Sequence, residues 1–190
     1  MDRNVLIGIV IASVVLLLVV IIAIMRKRRS EHLRQRFGPE YQQVLQQHGD
    51  ARHAEAVLEE RERRVQKFSI RALPKADREH YIEEWANVQR RFVDDPALAI
   101  NDAEMLVTLV MTARGYPMAD FEQRAADISV NHPRVVENYR SGKQIVLRHG
   151  KGQATTEELR QAMVYYRSLF EDLLETRKAD VVETQSRLAS

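Results

Sequence analysis

The chain has 190 residues, of which 45% are hydrophobic and 29% charged, with no cysteine, seven glycines and five prolines. The lack of cysteine excludes a disulfide framework, a thiolate metal site and a cysteine nucleophile. So few glycines and prolines also exclude collagen-like and turn-dense β architectures. Residues 1–29 hold five basic side chains and one acidic, whereas residues 30–190 hold 24 basic and 26 acidic ones. Because the basic surplus is confined to the N-terminus, we expect no nucleic-acid binding.

The most strongly patterned segment comes first in the chain. Residues 5–25 contain no charged side chain, and as a helix they would extend about 31 Å, which matches a hydrocarbon core of about 30 Å. A cleaved signal peptide has a shorter apolar stretch and a small-residue cleavage site, and neither occurs here. The pattern therefore predicts a single transmembrane helix that anchors the chain in a lipid bilayer.

The charges beside this segment predict its orientation. Arg26, Lys27, Arg28 and Arg29 follow its C-terminal end directly, and basic flanks stay on the cytoplasmic side. We therefore expect residues 1–29 to be an anchor in the inner membrane, with its N-terminus outside and the rest of the chain cytoplasmic. The alternative places the C-terminal part on the extracytoplasmic side.

Residues 30–72 are predicted to be a helical juxtamembrane region. Phe37-Gly38-Pro39 and Gly49-Asp50 are expected to interrupt its helices. After the second break, residues spaced three and four apart follow the rhythm of a coiled coil: Ala51, Ala54, Leu58, Arg61, Val65 and Phe68. Two interpretations remain open, a stalk that forms a homodimer and a helix that packs on the following domain. A homodimer through the anchor, by way of the small residues Gly8 and Ala12, is a further alternative.

Residues 73–178 are predicted to be a compact all-α module, followed by a flexible tail at 179–190. Helices are expected over about 75–92, 96–114 and 118–128, from near Pro133, and from Thr155 to about 177. In the second of these we expect one apolar face to be buried: Leu98, Met105, Leu106, Leu109, Val110 and Ala113. In the last, Thr155 and Glu158 form a capping box ahead of a second apolar face: Leu159, Met163, Tyr166, Phe170, Leu173 and Leu174.

Several strings in the chain resemble a set of bacterial proteins of uncharacterised function. They are RFGPEY (36–41), HGDARHAEA (48–56), FVDDP (92–96), RGYP (114–117) and DFEQRAADISVNHPRVVENYR (120–140). The resemblance covers most of residues 36–175 and implies one N-terminal anchor followed by a helical module. Members of this set are described as hypothetical, membrane or secreted proteins, so the resemblance implies no activity. The secreted description conflicts with the orientation that the basic flank predicts.

The sequence contains no cofactor motif, and we expect neither a cofactor nor a metal. The densest polar cluster lies in residues 120–137: Asp120, Glu122, Arg124, Asp127, His132, Arg134 and Glu137. Carboxylates near a histidine are typical of binding or acid–base sites. The same residues are also typical of a junction whose charges cap helix ends and pair across a turn.

A catalytic site would also need a nucleophile, a metal or a defined pocket, and the sequence indicates none of them. We therefore do not expect an enzyme. The leading hypothesis is a membrane-tethered helical module that acts by binding an unknown protein partner. The alternative is a small-ligand sensor or enzyme that uses the cluster at 120–137.

Overall fold

The structure is a computed structural model that describes the backbone of residues 3–174 and the side chains from Val14 onward. In this part of the chain there are helices and no strands, which confirms the all-α prediction. The helices are α1 (Arg3–Phe37), α2 (Pro39–His48), α3 (Ala51–Val65), α4 (Lys75–Asp94), α5 (Pro96–Ala113), α6 (Phe121–Asn131), α7 (Val136–His149) and α8 (Thr156–Leu173). The predicted tail at 179–190 and the side chains of the Gly8/Ala12 pair lie outside the described residues.

The ends of the helices follow local chemistry. Gly38 and Gly49 have positive φ angles of 49° and 69° at the two predicted breaks, a conformation that glycine adopts without a steric penalty. At the start of α8, the Thr155 hydroxyl accepts a hydrogen bond from the backbone N–H of Glu158, whose carboxylate accepts one from the backbone of Thr155. The predicted breaks and the capping box are therefore confirmed.

The chain forms two compact units, the first ending at Leu58 and the second beginning at Glu59. The domain boundaries predicted near residues 29 and 72 stay predictions. α1 continues through residue 29 to Phe37 without a break, because residues 26–36 contain neither glycine nor proline to end the helix. Six apolar side chains of the first unit are buried: Leu33, Phe37, Tyr41, Val44, Ala54 and Leu58. Ala54 and Leu58 belong to the predicted coiled-coil seam, so the chain itself covers this part of the seam.

The second unit is a helical bundle in which α5 and α8 are central. α4 packs on α5, α5 on α8, α8 on α7, and α7 on α6. Between the outer α4 and the central α8, the rings of Trp85 and Phe170 stack with centroids 4.6 Å apart. The six residues predicted to form the apolar face of α8 are all buried, so the predicted face is confirmed. The helix itself ends at Leu173, ahead of the end predicted near residue 177, which lies outside the described residues.

The predicted buried face of α5 is wrong in part. Leu98, Met105 and Leu109 are 58%, 62% and 52% exposed. The buried residues of this helix are instead Ala99, Ile100, Ala103, Leu106, Val107, Val110 and Met111. Apolar side chains lie on almost every side of α5, so periodicity could not identify which side faces α4 and α8. The buried face includes both small and large apolar side chains, such as Ala103 and Ile100, so side-chain size does not identify it either.

Two helices carry long apolar runs, and they differ in burial. Among the residues searched in the described part of the chain, one helix is long and apolar enough to cross a membrane by length and composition, namely α5. One face of α5 lies in the bundle core, and core helices of globular proteins commonly pass this test. In α1, every residue from Val14 to Met25 is exposed, with the large side chains 42–65% accessible.

Candidate functional site

Four of the seven predicted cluster residues lie at the surface. Asp120 caps α6 by accepting a hydrogen bond from the backbone N–H of Gln123 at 2.9 Å. Its role as the N-cap explains why α6 begins at Phe121 and not at residue 118. Glu122 and Arg134 are exposed, and the carboxylate of the exposed Glu137 lies 3.8 Å from the guanidinium of Arg140.

Asp127 is buried and joins α6 to the last turn of α3. Its Oδ1 accepts hydrogen bonds from Nε of Arg64 and from Nε2 of Gln123, both at 2.9 Å. Its Oδ2 is buried and has no hydrogen-bond partner among the described residues. One turn away, Arg61 donates to the hydroxyl of the buried Ser129 at 3.2 Å. These contacts dock the C-terminal half of α3 on α6, since a buried carboxylate is stable only when it is paired or hydrogen-bonded.

His132 is buried and faces the C-terminal end of α8. Its Nδ1 lies 2.5 Å from Oδ2 of Asp172, and its Nε2 is buried without a hydrogen-bond partner in the described part of the chain. Arg114 donates to the carbonyl of Leu173 at 2.5 Å, one residue further along α8. A carboxylate on one ring nitrogen orients the imidazole as in acid–base catalysis. Here, however, the other nitrogen faces the protein interior, so the arrangement fixes the end of α8.

Arg124 lies beside a second polar cluster that the sequence analysis missed. It donates to the hydroxyl of Thr108 on α5 at 3.0 Å. On the same helix, the carboxylate of Glu104 pairs with Nζ of Lys143 from α7 at 2.5 Å. An available signal was Glu104 itself, a charged residue in a helix whose remaining residues are mostly apolar.

Two buried tyrosines complete this second cluster. The rings of Tyr139 and Tyr166 meet edge to face with centroids 6.1 Å apart. Burial raises the pKa of the Tyr139 phenol to about 12. Burial also raises the pKa of Tyr166, and the nearby carboxylate of Glu104 raises it further, because both disfavour the phenolate. Both phenols therefore stay neutral to a higher pH than a free tyrosine does.

The seven residues of the predicted cluster therefore do not form one site. Asp127 faces α3, His132 faces α8, Arg124 faces α5, and the other four residues lie at the surface. A shallow groove of about 190 Å³ lies between α4 and α8, and it contains none of the seven residues. Its lining residues are Gln89, Phe92, Arg160, Met163, Val164 and Arg167.

Metal-ligating residues do not converge in the described part of the chain, where no group of three or more histidine, aspartate or glutamate side chains could hold an ion. The imidazole rings of His48 and His53 stack with their centroids 4.9 Å apart. The neighbouring carboxylate of Asp50 accepts the backbone N–H of His53 at 3.1 Å, as an N-cap does.

The basic residues that follow the apolar run of α1 form the most concentrated charge in the first unit. Arg26, Lys27, Arg28 and Arg29 are consecutive and exposed on the same helix. Comparison of the chain with models of protein families, with curated proteins and with solved structures gives no match. The resemblance to bacterial membrane-anchored proteins therefore remains a prediction.

Proposed function

We propose that this protein is a single-pass membrane protein that holds a helical module at the cytoplasmic face, where the module binds a protein partner. One observation carries the proposal: twelve consecutive apolar residues of α1, Val14 to Met25, are exposed around the whole helix. Exposed apolar surface of this extent marks an interaction site in soluble proteins. A bilayer covers all sides of a helix at once, whereas a protein partner covers one side.

The orientation rests on the basic flank at residues 26–29. Positive charge next to an apolar segment is retained in the cytoplasm, so we propose an inner-membrane location with the N-terminus outside. The resemblance to bacterial proteins with an N-terminal anchor supports the membrane location, whereas the secreted description of some of them conflicts with this orientation. Tethering raises the effective concentration of the module near membrane partners, so modest affinities suffice.

The partner surface that we propose is the exposed side of α5. Leu98, Met105 and Leu109 lie at positions separated by seven and four residues, which places them on one side of the helix, and all three are more than half exposed. We call these three residues the α5 stripe. The side chain of Met118 lies next to the same helix, since the Thr112 hydroxyl donates to its sulfur at 2.9 Å, and it extends the stripe. Side chains of this kind, flexible and apolar, suit the apolar face of a partner protein.

The test of the orientation uses the absence of cysteine from the chain. Ser190→Cys introduces one thiol, which is then probed in intact cells with a membrane-impermeant maleimide. We expect no labelling until the cells are broken open. Labelling of intact cells, after the outer membrane has been made permeable, would place the module outside the cytoplasm and overturn the proposed orientation.

The test of the partner surface compares two exposed apolar positions. Met105→Glu places a charge in the α5 stripe, whereas Leu147→Glu places one on α7, where Leu147 is 48% exposed. We expect both variants to keep the wild-type melting temperature, and only Met105→Glu to lose the proteins that co-purify from membranes. If both variants keep the same co-purifying proteins, the α5 stripe is not the partner surface.

The alternative function, a small-ligand sensor or enzyme built on residues 120–137, remains a prediction. Among residues 14–174, whose side chains the structure describes, the groups that could act together point toward different helices. A homodimer through the anchor or through the stalk likewise remains a prediction.

A further inference from the structure

We propose that Arg26, Lys27, Arg28 and Arg29 form a collar that binds several anionic phospholipid headgroups around the anchor. This inference rests on the proposed membrane anchoring and specifies its lipid partner. The four residues are exposed, and the helix that carries the apolar run continues through them to Phe37. Their position relative to the bilayer is therefore determined by helix geometry.

The axial position of the collar matches the headgroup layer. With a rise of about 1.5 Å per residue, the four residues lie about 1.5–6 Å beyond Met25. The polar layer on each side of the hydrocarbon core is about 5–8 Å thick. Arg34 and Arg36, the next arginines of α1, lie about 13–17 Å beyond Met25 and therefore outside this layer.

The angular distribution of the collar indicates more than one lipid. Successive residues of an α-helix are rotated by about 100°, so four consecutive side chains spread over about 300°. Their charges consequently point to nearly every side of the helix, and a single headgroup cannot contact all of them. The arrangement fits a ring of lipids around the anchor better than a pocket for one lipid.

The chemistry of the side chains favours anionic lipids. A guanidinium donates paired hydrogen bonds to phosphate oxygens, and each basic residue near an anionic surface adds to the attraction. A zwitterionic headgroup offers the same phosphate but carries a compensating cation, which removes most of the net attraction. Phosphatidylglycerol and phosphatidylcholine, which differ in this respect, are therefore the informative pair of probes.

The chain offers a matched control for the collar. Arg34 is exposed in the same helix, but its guanidinium lies over the ring of Tyr41, 5.2 Å from the ring centroid. The Tyr41 hydroxyl in turn donates to the carboxylate of Glu55 at 2.9 Å. Replacement of Arg34 and Arg36 by glutamine removes two charges from α1 without touching the collar.

The experiment measures lipid selectivity by electron paramagnetic resonance on the full chain. The protein is reconstituted in phosphatidylcholine bilayers that contain a trace of spin-labelled phosphatidylglycerol or spin-labelled phosphatidylcholine. We expect motionally restricted lipid next to the anchor, with about a fivefold preference for phosphatidylglycerol, the factor that corresponds to about 1 kcal/mol. Both leaflets carry the probes, so the orientation of the protein does not affect the result.

Two variants separate the collar from the rest of α1. Changing all four collar residues to glutamine should reduce the preference to about one, and high salt should weaken it in the wild type because exposed charges are screened. The double variant Arg34→Gln/Arg36→Gln should keep most of the preference. If it loses as much as the collar variant, the selectivity belongs to the whole basic helix and the collar is wrong.

The outcomes distinguish this inference from the proposed function. Restricted lipid with equal amounts of both probes in the wild type would overturn the collar and leave the anchor intact. The absence of any restricted lipid would show that α1 is not in the bilayer, which would overturn the proposed function as well.

Discussion

α1 and α5 are both long and rich in apolar residues, yet they meet different surroundings. In α5, seven residues lie in the bundle core and only one side, with Leu98, Met105 and Leu109, is exposed. In α1, the residues from Val14 to Met25 are exposed on every side. A high apolar content therefore does not determine how much of a helix the protein covers. The bundle covers one face of α5, whereas the residues of α1 from Val14 to Met25 are covered on no side, which suits the bilayer anchor that we propose.

The largest effect is expected from a charge on the buried face of α5. Val107→Arg places a guanidinium where the side chain is fully buried, and burial of an unpaired charge is among the most destabilising changes known, above about 4 kcal/mol. We expect the second unit to be unfolded in circular dichroism. Leu109→Arg, on the exposed side of the same helix, should change the free energy of unfolding by less than about 0.5 kcal/mol. Comparable losses in the two variants would mean that the assigned faces are wrong.

A charge in the apolar run of α1 should affect membrane insertion and leave folding unchanged. Leu16 is 65% exposed, and an arginine at the centre of a membrane helix costs about 2.5–3.5 kcal/mol of insertion free energy. We expect Leu16→Arg to increase the fraction of protein extracted from membranes by alkaline carbonate. The urea midpoint of the second unit should stay at its wild-type value, and a decrease like that of a core variant would contradict the comparison.

The buried phenols of the second unit predict a loss of stability at high pH. Because burial raises the pKa of Tyr139 to about 12, whereas an unfolded tyrosine has a pKa of about 10, the unfolded state loses its proton first as the pH rises. The contribution of Tyr139 to the free energy of unfolding is therefore complete below pH 10. It declines by about 2–3 kcal/mol between pH 10 and 12.

The measurement is urea unfolding at intervals from pH 8 to 11.5. The Tyr139 hydroxyl has no hydrogen-bond partner among the described residues, so Tyr139→Phe should be close to neutral at pH 7. The variant should also reduce the decline at high pH. Part of the decline should persist, because burial also raises the pKa of Tyr116 and Tyr166. An unchanged decline in the variant would show that Tyr139 is not the cause.

The smallest effect concerns the predicted cluster. Replacing His132 with alanine removes its partly buried contact with Asp172, and we expect a loss of about 1–3 kcal/mol in the free energy of unfolding. The exposed Glu137 is the control, for which Glu137→Ala should stay within about 0.5 kcal/mol of the wild type. A His132→Ala variant that keeps its stability but loses a cellular phenotype would favour the ligand-binding alternative.

Much of the local structure was predictable from the sequence, because helix ends depend on nearby residues. Glycines at 38 and 49 end helices through their backbone freedom, and the capping box at Thr155 satisfies free N–H groups within a single turn. The apolar face of α8 was predictable because polar residues clearly mark its other side. α5 has no clearly polar side, so its packing against α4 and α8 determines which of its faces is buried.

The candidate site depended on the tertiary structure still more strongly. Residues 120–137 are close in sequence, but the two helices that carry them turn Asp127, His132 and Arg124 toward different neighbours. The partners of these residues come from far along the chain, as Arg64 and Asp172 show. Proximity in sequence constrains a short segment only, whereas a site requires side chains from several helices to converge.

The sequence by itself determined the helical class, most helix boundaries, the apolar run of residues 5–25 and the basic flank that follows it. These features depend on composition, on period and on interactions within one or two turns. Only the tertiary structure decided which side of α5 is exposed and which helix each residue of the 120–137 cluster contacts. It also decided that Glu104, Lys143 and two tyrosines meet inside the bundle. Each of these results depends on how helices distant in sequence pack against one another, because close packing selects side chains by shape as well as by polarity.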